Sequence, residues 1–111
     1  MQLNHEKLDV YQAAIQFLGL SFQIIEKIPT GYNCLSDRLK RASLSIPLNI
    51  AEGSGKVTAK DKSRFYQIAR GSATECGAIL DSLKTLAIVD SQRLSDGKLL
   101  VYRIVCMLSR M

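Results

Sequence analysis

The stretch Asn33–Gly53, NCLSDRLKRASLSIPLNIAEG, decides the fold. Its apolar residues Leu35, Leu39, Ala42, Ile46 and Ile50 recur at spacings of four, three, four and four. That period lines one face of an α-helix and is incompatible with the alternation of a strand. Asn33 is placed to cap the start and Gly53 to stop the end, so the pattern predicts a helix over residues 34–53. Pro47 falls inside it, where it removes a backbone donor and crowds the Ser43 carbonyl, at a cost of about 3 kcal/mol unless the helix bends. The apolar phase continues past the proline through Ile50, so a kink near Ser45 to Pro47 is expected rather than two short helices.

Outward from this segment, turn chemistry at Pro29-Thr30-Gly31, Gly53-Ser54-Gly55 and Val89-Asp90-Ser91 marks off three further helical stretches. Before it, Leu8, Tyr11, Ile15, Leu18, Phe22 and Ile25 alternate steps of three and four, which predicts a helix over residues 6–27 with that stripe against the core. A second set, Val10, Phe17 and Ile24, repeats every seven residues beside the first. The wider apolar arc reads as a subunit interface; the competing reading is a helix sunk between two neighbours of its own bundle. After it, Thr58-Ala-Lys-Asp61 offers a shortened capping box. Phe65, Ile68, Ala69, Ser72, Cys76, Ile79, Leu83 and Leu86 then sustain the helical period over about 45 Å of rise. Gly71 and Gly77 inside that helix are expected to mark tight crossings. Leu94, Val101, Ile104, Val105 and Leu108 give a last helix over residues 92–109, with Gly97 as its weak point. Short connections make successive helices antiparallel. The expected fold is all-α: a single domain over residues 1–111, built as an antiparallel up-down-up-down four-helix bundle with a proline kink in the second helix.

Composition agrees. With 111 residues the chain closes one core. Aromatic content of 6% without tryptophan, and two prolines, disfavour a small β-sandwich or barrel. Cys34, Cys76 and Cys106 share no metal-ligand or disulfide spacing and read as reduced core thiols. The charged N-terminus lacks an apolar signal region, no apolar run is long enough to span a bilayer, and a soluble, cytoplasmic protein without membrane association is expected.

The lone histidine, His5, stands near the N-terminus without a partner in sequence, and no nucleophile motif, phosphate loop, dinucleotide pattern or paired metal-ligand motif occurs. The reading is therefore a non-enzyme with no catalytic residue, no metal and no cofactor. Charge is more informative. The net charge of +5 is concentrated: residues 38 to 70 carry Arg38, Lys40, Arg41, Lys56, Lys60, Lys62, Arg64 and Arg70 against only Glu52 and Asp61. This pattern suits contact with the phosphates of RNA or DNA, although a charged face that keeps a bundle in solution fits it too. Aromatic interleaving is sparse, so base stacking on single strands has little support.

The blocks Arg41-Ala-Ser-Leu-Ser-Ile-Pro-Leu-Asn-Ile-Ala-Glu-Gly53 and Ile68-Ala-Arg-Gly-Ser-Ala-Thr-Glu75 resemble the four-helix-bundle family encoded by intervening sequences of bacterial 23S ribosomal RNA genes. The likeness extends from Leu8 almost to the C-terminus, with Val10-Tyr11-Gln12-Ala13-Ala14 and Pro29 as weaker echoes. One departure is Asp37, which stands before Arg38 where many members carry glutamine. The resemblance implies a homopentameric ring without catalytic activity. It also implies kinship with the accessory variability protein of diversity-generating retroelements, a basic barrel that binds nucleic acid and partners a reverse transcriptase. Within the signature, Asn49, Glu52, Gly53, Gly71, Ser72 and Glu75 read as a structural set, with the buried polar members expected to satisfy one another and Arg41; the alternative is that Asn49, Glu52 and Glu75 line a site. The expectation is a ring-forming protein whose basic residues contact RNA or DNA, against the alternative of a structural or protein-interaction scaffold.

Overall fold

A computed structural model describes residues Met1–Met111. A 3-10 turn over Asn4–Lys7 leads into four helices, α1 (Asp9–Glu26), α2 (Asn33–Ser54), α3 (Ala59–Thr85) and α4 (Ser91–Ser109), and there are no strands. Each helix packs against two others, α1 against α2 and α4, and α3 against α2 and α4, around one core that includes Phe17, Ile24, Leu39, Ile46, Leu80, Leu83 and Ile104. The result is an all-α four-helix bundle of 44 × 26 × 21 Å. Facing pairs fix the register: Arg38 meets Glu75, Ser45 meets Ser72, and Gly53 meets Tyr66 across α2 and α3. Across α3 and α4, Arg70 meets Ser109, Gly77 meets Val101 and Asp81 meets Lys98.

The deciding stretch forms one unbroken helix through Pro47. Its ends differ from expectation. Asn33 is the first helical residue, and Tyr32 holds the cap position without a side-chain bond. Gly53 does not stop the helix; Gly55 does. At the start of α3 the Thr58 hydroxyl accepts the Asp61 backbone N–H at 3.1 Å, the bond its capping pattern requires.

In α1 the seven-residue stripe is the buried one. Val10, Phe17 and Ile24 are buried inside the protomer, Phe17 and Ile24 completely, so they cannot present a surface to another subunit. The residues beside them explain this. Ala13, Ala14 and Ser21 are also buried and give the neighbouring helices close access, while the Ser21 hydroxyl is satisfied by donating to the Phe17 carbonyl at 2.9 Å. Of the stripe expected to face the core, Leu8, Tyr11 and Ile25 are half-buried against its edge, while Ile15 and Phe22 lie at the surface at 44% and 39% exposure. Ile68 and Leu86, also assigned to the core, are exposed, and of the three cysteines only Cys76 is buried, Cys34 standing exposed in the first turn of α2.

The glycines sort in the same way. Gly71 marks no crossing, because nothing lies within 4 Å of where its Cβ would be. Gly77 is buried with Val101 Cγ1 at 3.5 Å, an ordinary contact. Gly97, read as a weak point, is the close approach: an added Cβ would lie 3.0 Å from Leu80 and 3.5 Å from Phe17.

Candidate nucleic-acid interface

Two groups of basic side chains are set by the two ends of α2. Arg38, Lys40 and Arg41 stand in its first half; Lys56, Lys60, Lys62 and Arg64 surround the turn from α2 into α3. From Arg38 to Ser54 the helix rises about 24 Å, more than two Debye lengths at physiological salt, so the groups act as separate fields. Arg70 belongs to neither: its Nε donates to Ser109 Oγ of α4 at 2.8 Å, beside a cavity shared with Tyr66, Gln67 and Leu108.

At the turn, Phe65 is the organising residue. The Lys56 ammonium lies 5.1 Å and the Arg64 guanidinium 4.8 Å from its ring centroid, so two cations are gathered over one aromatic ring. Lys56 also pairs with Glu52 at 3.2 Å, one helical turn away. The Lys62 ammonium donates to the Ser54 carbonyl at 3.0 Å, tying the start of α3 to the end of α2. Beneath them, Gly53 lets the Tyr66 ring approach to 2.8 Å of where a Cβ would stand, and burial pushes the Tyr66 phenol up from its usual 10.0. Lys60 and Arg64 line a surface cavity with Asp61, Ser63 and Gln67. The contacts of Gly53 with Tyr66 and of Arg70 with Ser109 bring the ends of α2 and α4 beside the first half of α3, so Arg70, Arg103 and Arg110 join Lys56, Lys60, Lys62 and Arg64 there, against Glu52 and Asp61. Arg38, Lys40 and Arg41 stand with Asp37 and Glu75. Reading the sequence missed Arg103 and Arg110, since only folding brings the end of α4 beside the start of α3.

In the middle of α2 and α3 the signature residues form a smaller network than expected. Asn49 Nδ2 donates to the Ser45 carbonyl at 2.8 Å and to Ser45 Oγ at 2.9 Å, and Ser72 Oγ donates to Ser45 Oγ at 2.7 Å. Glu52 lies outside it, exposed and paired with Lys56. Glu75 is engaged by Arg38, whose Nε and Nη2 both donate to Oε2 at 3.2 and 3.1 Å. Arg41 takes no part in the network; with Arg38, Ala42, Ser45, Ser72 and Glu75 it lines a surface cavity of about 420 Å³. Ser45, a matched position of the signature block but not among the partners expected for the network, is its hub, one turn before Asn49 on the same helix face.

No group of three His, Cys, Asp or Glu side chains is arranged to hold a metal ion, and no helix is long and apolar enough to cross a membrane. Fold and surface together define a small basic four-helix protein with a cationic end and a polar inter-helix cavity. The chain belongs to the 23S rRNA-intervening sequence protein family, whose model matches residues 6–110, nearly its full length. No curated protein matches the sequence.

Proposed function

We propose that the protein is a non-enzymatic, ring-forming oligomer, a pentamer, that binds the backbone of RNA or DNA through its basic surface in the cytoplasm. The observation that carries this is the gathering of Lys56, Lys60, Lys62 and Arg64 around Phe65, reinforced by Arg70, Arg103 and Arg110, on one end of the bundle. Five protomers carrying +5 each would repeat that end around a ring, and linked weak phosphate contacts multiply in strength. The reading takes the helices as alternating up and down with α2 bent at Pro47. The opposite order in which Arg38, Ser45 and Gly53 meet Glu75, Ser72 and Tyr66 supports the alternation. The missing donor at Pro47 supports the bend. A reverse transcriptase is the protein partner to test beside the nucleic acid.

The exposed apolar residues favour a second reading, a protein-interaction scaffold whose positive charge serves solubility. Ile15 and Phe22 on α1 and Leu44 and Leu48 on α2 are each at least 39% exposed. A salt series with labelled structured RNA and matched DNA separates the two. Phosphate contact requires affinity to fall steeply with salt, the slope giving the number of contacts, and to collapse when Lys60 and Arg64 are both changed to Glu. Flat, weak binding by a well-formed oligomer would leave the scaffold reading.

A further inference from the structure

The cavity between α2 and α3 is built from two facing stripes. Arg38, Arg41 and Ser45 are three and four residues apart on α2 and so share a face; Ser72 and Glu75 are three apart on α3. Its hydrogen-bonding capacity is unevenly used. Ser45 Oγ accepts from Asn49 Nδ2 and shares one hydroxyl–hydroxyl bond with Ser72 Oγ, so one proton of the serine pair is left without an acceptor in the protein. Arg41 enters none of the three ion pairs of the molecule. Arg38 spends Nε and Nη2 on a single oxygen of Glu75, so one edge of its guanidinium is fixed and its Nη1 edge is unspent. What remains is a fork of arginine donors beside a hydroxyl donor, with two guanidinium charges against one carboxylate.

We propose that this cavity receives one phosphoryl group of the bound polynucleotide, an inference that rests on the nucleic-acid reading above. Arg41 and the free hydroxyl proton of the Ser45–Ser72 pair are the contacts, Arg38 adds its unspent edge, and Glu75 is a positioning residue that holds Arg38 in place. A tetrahedral oxyanion accepts from planar guanidinium forks and a hydroxyl together, an arrangement more directional than the exposed lysines at the turn. Two sources share this chemistry, an internal phosphodiester and a terminal phosphate monoester.

Glu75→Gln distinguishes the site from charge alone. The substitution removes a negative charge from the surface, so diffuse electrostatics requires tighter binding of labelled single-stranded RNA, whereas loss of the Arg38 anchor weakens binding by about tenfold. Arg41→Gln is expected to weaken it by a similar factor, and Lys60→Gln, which removes the same charge at the far end, by less. In parallel, inorganic phosphate titrated into the nitrogen-15-labelled full chain should shift the Arg41 side-chain Nε–H signal to saturation, while equal chloride should not. Preference for 5′-phosphorylated over 5′-hydroxyl RNA assigns the terminal monoester, and equal binding assigns the internal diester. Tighter binding by Glu75→Gln, or RNA binding by the unaltered protein with no phosphate shift at Arg41, overturns the site and leaves the nucleic-acid reading standing. Absence of both RNA and DNA binding at low salt overturns that reading, and with it the polynucleotide as the occupant of the cavity.

Discussion

At Gly53 a methyl group would lie 2.8 Å from the Tyr66 ring and 3.1 Å from Phe65 Cβ, whereas at Gly71 it would meet nothing within 4 Å. The same substitution therefore has opposite signs at two signature glycines. Gly53→Ala should destabilise the protein by about 1–3 kcal/mol through forced displacement of α3 against α2. Gly71→Ala, in an exposed helix interior, should stabilise it by about 0.5–1 kcal/mol through the lower backbone entropy of the unfolded chain. Thermal melts of the pair check both signs, and a common sign would refute the contact assignment. Cys76 behaves as a core residue rather than a thiol: burial, helped by the neighbouring Glu75 charge, pushes it up from 9.0 to about 12. Folding thus favours its protonated form. That contribution is complete below pH 9 and is lost as pH rises towards 12, by up to about 1.4 kcal/mol per pH unit. Denaturant melts at pH 7 and pH 10 should show a larger loss in the unaltered protein than in Cys76→Ala.

Among the elements, α3 ends on a feature that composition does not announce. Ala87 adopts φ +53°, the left-handed conformation, with its N–H on the Lys84 carbonyl and the Ile88 N–H on the Leu83 carbonyl, each at 3.0 Å. This is the paired bonding that usually ends on glycine, held here by an alanine. Ala87→Gly should raise stability by about 1 kcal/mol, read as an increase in the denaturant midpoint without a change in slope. Four helices were legible in the sequence because an i, i+3, i+4 period survives any error in facing, and the ends signalled by Thr58 and Asp61 were legible because a hydroxyl acceptor leaves few alternatives. Facing itself was misread in α1. Bulk and hydrophobicity favoured Ile15, Leu18 and Phe22, but close packing selected the face that combines Phe17 with Ala13, Ala14 and Ser21, whose small side chains are weak signals to a hydrophobicity count. The polar cavity was partly legible: Arg38, Arg41, Ser45, Ser72 and Glu75 all stood out, but Ser45 not as the hub of a network, since a serine on the flank of a helix gains that meaning only from the neighbour that folding supplies.

At the scale of the whole molecule, the misread stripe leaves the protomer with an exposed apolar surface. Gln16, Gly19, Leu20 and Gln23 line the groove towards α4. Ile15, Leu18 and Phe22 therefore lie on the other flank of α1, the side on which α2 packs. Leu44 and Leu48, the latter 62% exposed, extend the apolar surface on α2. If this surface supports the ring, Phe22→Ser combined with Leu48→Ser should lower the mass in sedimentation while leaving helical content unchanged, because neither side chain contributes to the buried core. An unchanged mass would direct attention to Leu99 and Tyr102, an exposed apolar pair on α4. The cohesion of each protomer has a different origin. At Gly97 the backbone of α4 touches side chains from α1 and α3 at once, through Phe17, Ile24 and Leu80. None of these three helices can peel away without uncovering the other two at that point, so amide hydrogens deep in α1, α3 and α4 would exchange with solvent through one shared opening, at one free energy.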